Sequence, residues 1–141
     1  MNRFLPSNPL PRRALLLVDH GSRRPEANEI LPALAERLMR VSGVPIVRYA
    51  HLSLTPPGIG EAFDACVAAG ASEIVVHPYF LAPGRHSRTD IPAAIREAAT
   101  RHPGVSYVLT EPLGLHDKLL EVILDRVEEA SLSMRQFGSS L

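Results

Sequence analysis

Short apolar runs alternate with longer stretches of helical period along almost the whole chain. The first run, residues 14–18, is continuous and apolar, as expected of a strand buried on both faces of a sheet. The same reasoning predicts strands at 14–18, 44–52, 73–79 and 105–109, and helices at about 24–41, 55–70, 89–101 and 116–130. Strands that alternate with helices form a parallel sheet with right-handed crossovers and helices on both faces. We therefore predict a flavodoxin-like, three-layer α/β/α fold with four parallel strands in the order 2-1-3-4.

Local signals refine the helix boundaries. Pro32 removes a backbone hydrogen bond, so the first helix is expected to bend or to begin late. Thr55 followed by Pro56 reads as a helix start, with an N-cap hydroxyl and a proline at the first helical position. The last helix carries one apolar face, formed by Leu119, Leu120, Ile123, Leu124 and Val127.

The length of 141 residues suits a single domain. We expect an extended, proline-containing arm at 1–13, one folded domain at 14–130 and a flexible, serine-rich tail at 131–141. The arm has no apolar core of a signal peptide, and no run approaches the ~18 apolar residues of a membrane span. The single cysteine, Cys66, is expected to be buried and structural, since it has no disulfide partner. We therefore expect a cytoplasmic protein.

The net charge of the chain indicates which classes of partner are not expected. The chain has 15 basic and 15 acidic residues and a formal charge of zero. Proteins that bind nucleic acids or anionic membranes in general carry a basic excess, so neither partner is expected.

Two loops carry most of the residues that could bind a ligand or take part in catalysis. In an open parallel sheet, ligands bind beyond the carboxyl ends of the strands, where the strand order reverses. In the 2-1-3-4 order this edge receives the loops after strands one and three, residues 19–24 and 80–88. Each loop contributes one histidine, at least two arginines, a glycine and a serine. The sequence therefore predicts a binding cleft at this edge.

The two loop histidines are His20 and His86. A neutral imidazole can ligate a divalent metal or accept a proton near neutral pH. His51, near the end of strand two, points to the same edge and is a candidate third metal ligand. His77, inside strand three, is expected to be a core or interface residue, whereas His102 and His116 lie beside helix ends, where capping or exposure is expected.

The arginines of the two loops predict a polyanionic ligand, because guanidinium groups pair with carboxylates or phosphates, often through two hydrogen bonds. Together with one hydroxyl from each loop, they form the predicted substrate-binding set: Arg23, Arg24, Arg85, Arg88, Ser22 and Ser87.

The motifs as a whole resemble those of the sirohydrochlorin cobaltochelatase (CbiX/SirB) family, over about residues 14–130. The matching stretches are Asp19-His20-Gly21-Ser22-Arg23, Ala27-Asn28, Pro78 through His86, Asp90-Ile91-Pro92, and Glu111 through His116. HGSR and PGRH at this separation are together far more specific than HGS alone.

The resemblance implies a lyase-type metal chelatase that needs neither ATP nor an organic cofactor. It implies insertion of a divalent metal, Co²⁺ first and Fe²⁺ or Ni²⁺ in relatives, into a sirohydrochlorin-type tetrapyrrole with eight carboxylates. His20 and His86 match the histidines that bind the metal and accept protons. Because long family members have two half-domains and this chain resembles one, the resemblance also implies a homodimer.

One departure from the family pattern keeps an alternative open. Ser53 stands where an acidic residue is common after strand two, and His51 is a candidate to compensate for it. A carrier of metal or tetrapyrrole that keeps the fold without turnover is therefore a second hypothesis. A histidine phosphatase is a weaker one, since Asp19 stands where that chemistry needs an arginine, and the first loop lacks the hydroxyls that bind a flavin phosphate.

Overall fold

Four parallel strands form one sheet in the order β2-β1-β3-β4, which confirms the predicted topology. The computed structural model describes residues 11–138, apart from the side chains of residues 86, 87, 137 and 138. The strands are β1 (Arg13–Asp19), β2 (Ile46–His51), β3 (Glu73–Pro78) and β4 (Ser106–Leu109). Because all strands are parallel, their carboxyl ends share one edge of the sheet.

The helices connect the strands as the alternating pattern requires. They are α1 (Pro25–Asn28), α2 (Ile30–Ser42), α3 (Ile59–Ala68), α4 (Ile91–Ala99) and α5 (Asp117–Gly138), and a π-helical turn (His86–Asp90) precedes α4.

The predicted first helix is divided into α1 and α2 at Glu29. Pro32 then falls in the first turn of α2, where a backbone N–H has no intrahelical acceptor to lose. The bend or late start expected near this proline corresponds to the division before α2.

The predicted helix start at Thr55 is wrong, because α3 begins at Ile59 and its N-cap is Gly58. A proline disfavours the helical conformation of the residue before it, so Pro57 keeps Pro56 out of a helix. The carbonyl oxygen of Pro57 instead accepts a hydrogen bond of 2.8 Å from the N–H of His51. The segment therefore folds back onto the end of β2.

The sheet separates two apolar clusters. The larger lies between the sheet and helices α3 and α4, and includes Leu16, Val18, Phe63, Ile74 and Ile95. The smaller lies under α2, and its buried members are Leu17, Leu31, Ala35 and Val47. Alternate residues of β1 face the two clusters, as expected for a central strand.

Helix α5 is the main departure from the expected packing. Leu120, Ile123, Leu124 and Val127 on its apolar face are 51–65% exposed, and the helix makes few contacts with the other described elements. Val108 of β4 is exposed as well. Among the described residues, the sheet face beside α2 is thus left uncovered over β3 and β4. The helix also continues to Gly138, which corrects the expected helix end near residue 130. Residues 139–141 of the expected tail lie outside the described residues.

At the other end, residues 1–10 of the expected arm lie outside the described residues, and the arm's last residues already belong to the sheet. The carbonyl oxygen of Arg12 accepts hydrogen bonds from Ser72 and Glu73 at 3.0 and 3.2 Å, and Arg13 forms a 2.8 Å ion pair with Glu73. No helix within residues 11–138 is long and apolar enough to cross a membrane.

Candidate functional site

His20 lies at the carboxyl edge of the sheet, directly after β1. Its side chain is exposed, and it lines an open cleft of about 260 Å³. The cleft is lined by Asp19, His20, Gly21, Ser22, Ala27, Asn28, Ile30 and Tyr79. Since β1 pairs with β3, the loop after β3 begins beside this cleft, as predicted.

The imidazole of His20 packs against an aromatic ring from that second loop. The ring centroids of His20 and Phe80 lie 4.2 Å apart, with an interplanar angle of 26°. The carbonyl oxygen of Phe80 accepts a 2.9 Å hydrogen bond from the N–H of Leu113, so the loop after β4 supports Phe80. The sequence motif contained Phe80, but its apolar ring gave no sign of this role.

Asn28 closes the first loop from α1. Its Oδ1 accepts a hydrogen bond from the N–H of Ser22 at 2.8 Å, and its Nδ2 donates to the Ser22 carbonyl oxygen at 2.7 Å. The hydroxyl of Ser22 accepts a bond from the N–H of Arg24 at 3.1 Å, at the start of α1. The sequence motif includes Asn28, but only the fold shows that this residue holds the loop.

Asp19 links the same loop to β2. Its Oδ1 accepts a 3.0 Å hydrogen bond from the N–H of Gly21 and lies 2.5 Å from Nδ1 of His51. Asp19 and His51 are partners in the register of β1 and β2. His51 is 2% exposed, and its role as a third metal ligand stays a prediction.

The backbone of the first loop is also fixed. The carbonyl oxygens of Asp19 and His20 accept hydrogen bonds from Leu52 and Ser53 at 2.8 and 3.1 Å. Gly21 has a φ of +82°, and a Cβ at this position would lie 2.0 Å from the carbonyl oxygen of Ser53. Only glycine fits this turn.

The other predicted site residues do not all meet in the His20 cleft. Arg23, Arg24, Arg85 and Arg88 are exposed, and Arg88 lines a separate cavity of about 320 Å³ with Thr110 and Glu111. The side chains of His86 and Ser87 lie outside the described part of the structure, so the pairing of His20 with His86 stays a prediction. Among the described side chains, no group of three or more His, Cys, Asp or Glu residues is arranged to hold a metal ion.

His77 has a defined environment on the open side of the sheet. Its Nδ1 lies 2.7 Å from Oγ1 of Thr110, which donates its proton to the carbonyl oxygen of Glu111 at 2.8 Å. Burial lowers the pKa of His77, and a hydrogen bond to the backbone of Glu111 partly opposes this.

His116, His102 and Cys66 lie away from the His20 cleft and have defined surroundings. Nδ1 of His116 accepts a 3.1 Å hydrogen bond from the N–H of Lys118 and so caps the start of α5, as expected. His102 instead bonds a side chain of α3, with its Nε2 2.7 Å from Oδ1 of Asp64. Cys66 is fully buried, as predicted, and burial raises the pKa of its thiol to about 11.

Known proteins share this architecture and these motifs. The chain is 46% identical over 114 residues to the chloroplastic sirohydrochlorin ferrochelatase of Arabidopsis thaliana, covering 81% of this chain and 51% of that protein. It is 34% identical to the sirohydrochlorin cobaltochelatase of Sulfolobus acidocaldarius, covering 82% and 90%.

A solved structure agrees with these relatives. The crystal structure of the sirohydrochlorin chelatase SirB from Bacillus subtilis subspecies spizizenii in complex with cobalt superposes with a TM-score of 0.79 and 31% identity. The match covers 84% of this chain and 50% of that one. This chain thus spans about half the length of the Arabidopsis and Bacillus proteins.

The CbiX family model matches residues 14–130, which include the four strands apart from Arg13 and both loops of the candidate site. The resemblance inferred from HGSR and PGRH is therefore confirmed, and the chain belongs to the CbiX family.

Proposed function

We propose that this chain inserts a divalent metal ion into a sirohydrochlorin-type tetrapyrrole, without ATP or an organic cofactor. The observation that carries the proposal is the exposed imidazole of His20, held on a rigid turn at the strand edge of a CbiX-family fold. Relatives over most of the chain are a sirohydrochlorin ferrochelatase and a sirohydrochlorin cobaltochelatase.

The chemistry requires a metal ligand and a proton acceptor. The metal ion exchanges its water ligands for four pyrrole nitrogens, and the macrocycle releases two N–H protons. A neutral imidazole can perform either task. We assign these tasks to His20 and His86, the histidines of the two neighbouring loops.

The substrate carries carboxylates around its rim, and the exposed cations of the same loops suit them. Arg23, Arg24, Arg85 and Arg88 can each pair with a carboxylate. The Ser22 hydroxyl accepts a bond from Arg24 but keeps its own proton to donate. We propose these residues, with Ser87, as the substrate-binding set.

The metal we propose first is Co²⁺, with Fe²⁺ and Ni²⁺ as alternatives. The SirB structure in complex with cobalt and the Sulfolobus cobaltochelatase favour Co²⁺, whereas the Arabidopsis ferrochelatase favours Fe²⁺. Insertion rates for the three ions under identical anaerobic conditions decide among them.

We also propose that the active form is a homodimer. The cleft at His20 has a volume of about 260 Å³. Pockets that enclose drug-sized ligands span roughly 300–1,000 Å³, and an octacarboxylate macrocycle is larger than such ligands. A second surface must therefore help to enclose the ring, and the apolar face of α5 is exposed for an interface.

A carrier without turnover is the second candidate. The observation that favours it is Ser53, whose hydroxyl donates to the His20 carbonyl oxygen at 3.4 Å and supplies no carboxylate. A carrier would bind Co²⁺ or the macrocycle stoichiometrically and release no metallated product.

The test follows the absorbance of sirohydrochlorin as metal is added, without ATP, for the parent and for His20→Ala and His86→Ala. Loss of a proton acceptor lowers rates by roughly 10²–10⁴-fold, and we expect losses of that order. His102→Ala is the control, because His102 precedes β4 at the opposite edge of the sheet. If both variants at the cleft insert metal as fast as the parent, the assignment is wrong.

A further inference from the structure

We propose that Asp19 and His51 form a positioning pair that fixes the orientation of His20, and that His51 does not itself bind the metal. The inference rests on the proposed function, in which His20 is a metal ligand or proton acceptor. It replaces the third-ligand role that the sequence suggested for His51.

The carboxylate of Asp19 connects the residues on both sides of His20. Asp19 precedes His20 in the chain, and its Oδ1 accepts a 3.0 Å hydrogen bond from the N–H of Gly21, which follows His20. The same oxygen lies 2.5 Å from Nδ1 of His51. Displacement of the backbone turn that carries His20 would therefore disturb at least one of these two contacts.

The burial and the contacts of His51 suit a residue that positions the His20 turn. It is the last residue of β2, is 2% exposed and packs edge-on against Tyr49, with centroids 5.7 Å apart. Its Nδ1 is occupied by Asp19, and the burial of the ring limits the access of a metal ion in the cleft to its other nitrogen, Nε2. Removing one member of a buried, hydrogen-bonded pair leaves the other member without its partner, which is costly.

A backbone hydrogen bond also holds the turn that carries His20. The carbonyl oxygen of His20 accepts a bond from the N–H of Ser53 at 3.1 Å, two residues after His51. The Asp19–His51 contact and this backbone bond thus join the His20 turn to the same short segment. Residues that orient a metal ligand from behind typically change metal affinity or activity by about 10–100-fold when they are mutated.

The experiment compares His51→Leu with His51→Asn in the full chain. Leucine removes the hydrogen bond to Asp19, whereas the asparagine amide can donate to Asp19 from nearly the position of Nδ1. Co²⁺ is titrated into each protein without tetrapyrrole, and the visible d–d absorption reports both the affinity and the ligand set. Metal insertion is then measured separately.

We expect His51→Leu to weaken Co²⁺ binding by about 10–100-fold, and His51→Asn to recover most of the loss. The spectrum of the saturated complex should be the same in all three proteins, because His51 is not a ligand. His102→Leu is the matched control, since it breaks another histidine–aspartate pair, with Asp64, at the opposite edge of the sheet. Circular dichroism and thermal unfolding identify any variant that fails to fold.

Two outcomes would overturn the proposal. One is Co²⁺ binding by a folded His51→Leu protein within twofold of the parent. The other is a changed saturated spectrum in both variants, with no recovery by asparagine, which would make His51 a ligand. A parent that binds Co²⁺ without inserting it contradicts the proposed function and leaves this comparison valid, and a parent that binds no Co²⁺ contradicts both.

Discussion

The imidazole of His20 lies against the ring of Phe80, with centroids 4.2 Å apart and planes inclined by 26°. The two residues come from the loops after β1 and β3, so this contact joins the two halves of the candidate site. It limits the directions in which His20 can present its nitrogens to a ligand. Phe80 itself is held through its carbonyl oxygen by Leu113.

Phe80→Ala should therefore slow metal insertion. Aromatic pairs contribute about 0.5–1.5 kcal/mol beyond their buried area. If that contribution stabilises only the reactive orientation of His20, its loss lowers the rate of metal insertion by roughly 2- to 12-fold. Phe80→Tyr keeps the ring and should stay near the parent rate. Equal rates for the alanine and tyrosine variants, both folded, would contradict the role of the stack.

Gly21→Ala should destabilise the protein more than Gly43→Ala does. Both glycines have positive φ, +82° and +70°, and left-handed backbone costs an ordinary residue about 1–2 kcal/mol. A Cβ at Gly21 would also lie 2.0 Å from the Ser53 carbonyl oxygen, whereas nothing lies within 4 Å at Gly43. Urea unfolding of the two variants measures the difference, and equal losses of unfolding free energy would show that the Ser53 contact is easily relieved.

Acid should weaken the contact between α3 and the end of α4. The hydrogen bond from His102 is the largest cause that lowers the pKa of Asp64, and burial partly opposes it. Because the folded-state pKa lies below the unfolded value of 3.8, this stabilisation is present above that pH and is lost as the pH falls through the folded-state value.

Asp64→Asn should remove this part of the pH dependence. The side chain of Asp64 is 44% exposed, so we expect an effect below about 1 kcal/mol. The check is the free energy of unfolding of parent and variant between pH 2 and 6. Curves that stay parallel over this range would contradict the prediction.

Cys66 should be inert in the native protein. Its thiol is fully buried, and burial raises its pKa to about 11, so almost no reactive thiolate forms near neutral pH. A disulfide reagent at pH 8 should label the thiol only after unfolding in urea. Rapid stoichiometric labelling without denaturant would mean that α3 opens readily.

The alternation of strands and helices was enough to predict a parallel sheet, and the flavodoxin-like order assumed for it placed His20 at the strand-end edge. The same rule placed His51 at this edge, but it could not show that Asp19 is its register partner. The start of α3 was misplaced for a local reason, since the effect of Pro57 on Pro56 outweighed the N-cap signal of Thr55. Phe80 and Asn28 act through contacts that only the folded chain creates.

The sequence could not show which surface covers the apolar face of α5, and the answer decides the oligomeric state. Helical period indicates that Leu120, Ile123, Leu124 and Val127 need a covering surface, but not which surface covers them. In the structure the face is exposed, and β3 and β4 are open beside α2. Within residues 11–138 these four side chains stay exposed, and a contiguous apolar face of this kind favours an interface between two copies.

Ile123→Glu combined with Leu124→Glu should therefore convert a dimer into monomers, because two carboxylates cannot be buried unpaired at an apolar interface. Asp125→Ala is the control, since Asp125 lies on the opposite face of the helix. Light scattering after size-exclusion chromatography gives the mass of each protein, and metal insertion should fall with the dimer fraction because one cleft alone cannot enclose the macrocycle. A parent that is monomeric at working concentration and inserts metal at full rate would show that a single chain is sufficient, and that the exposed face of α5 serves another purpose.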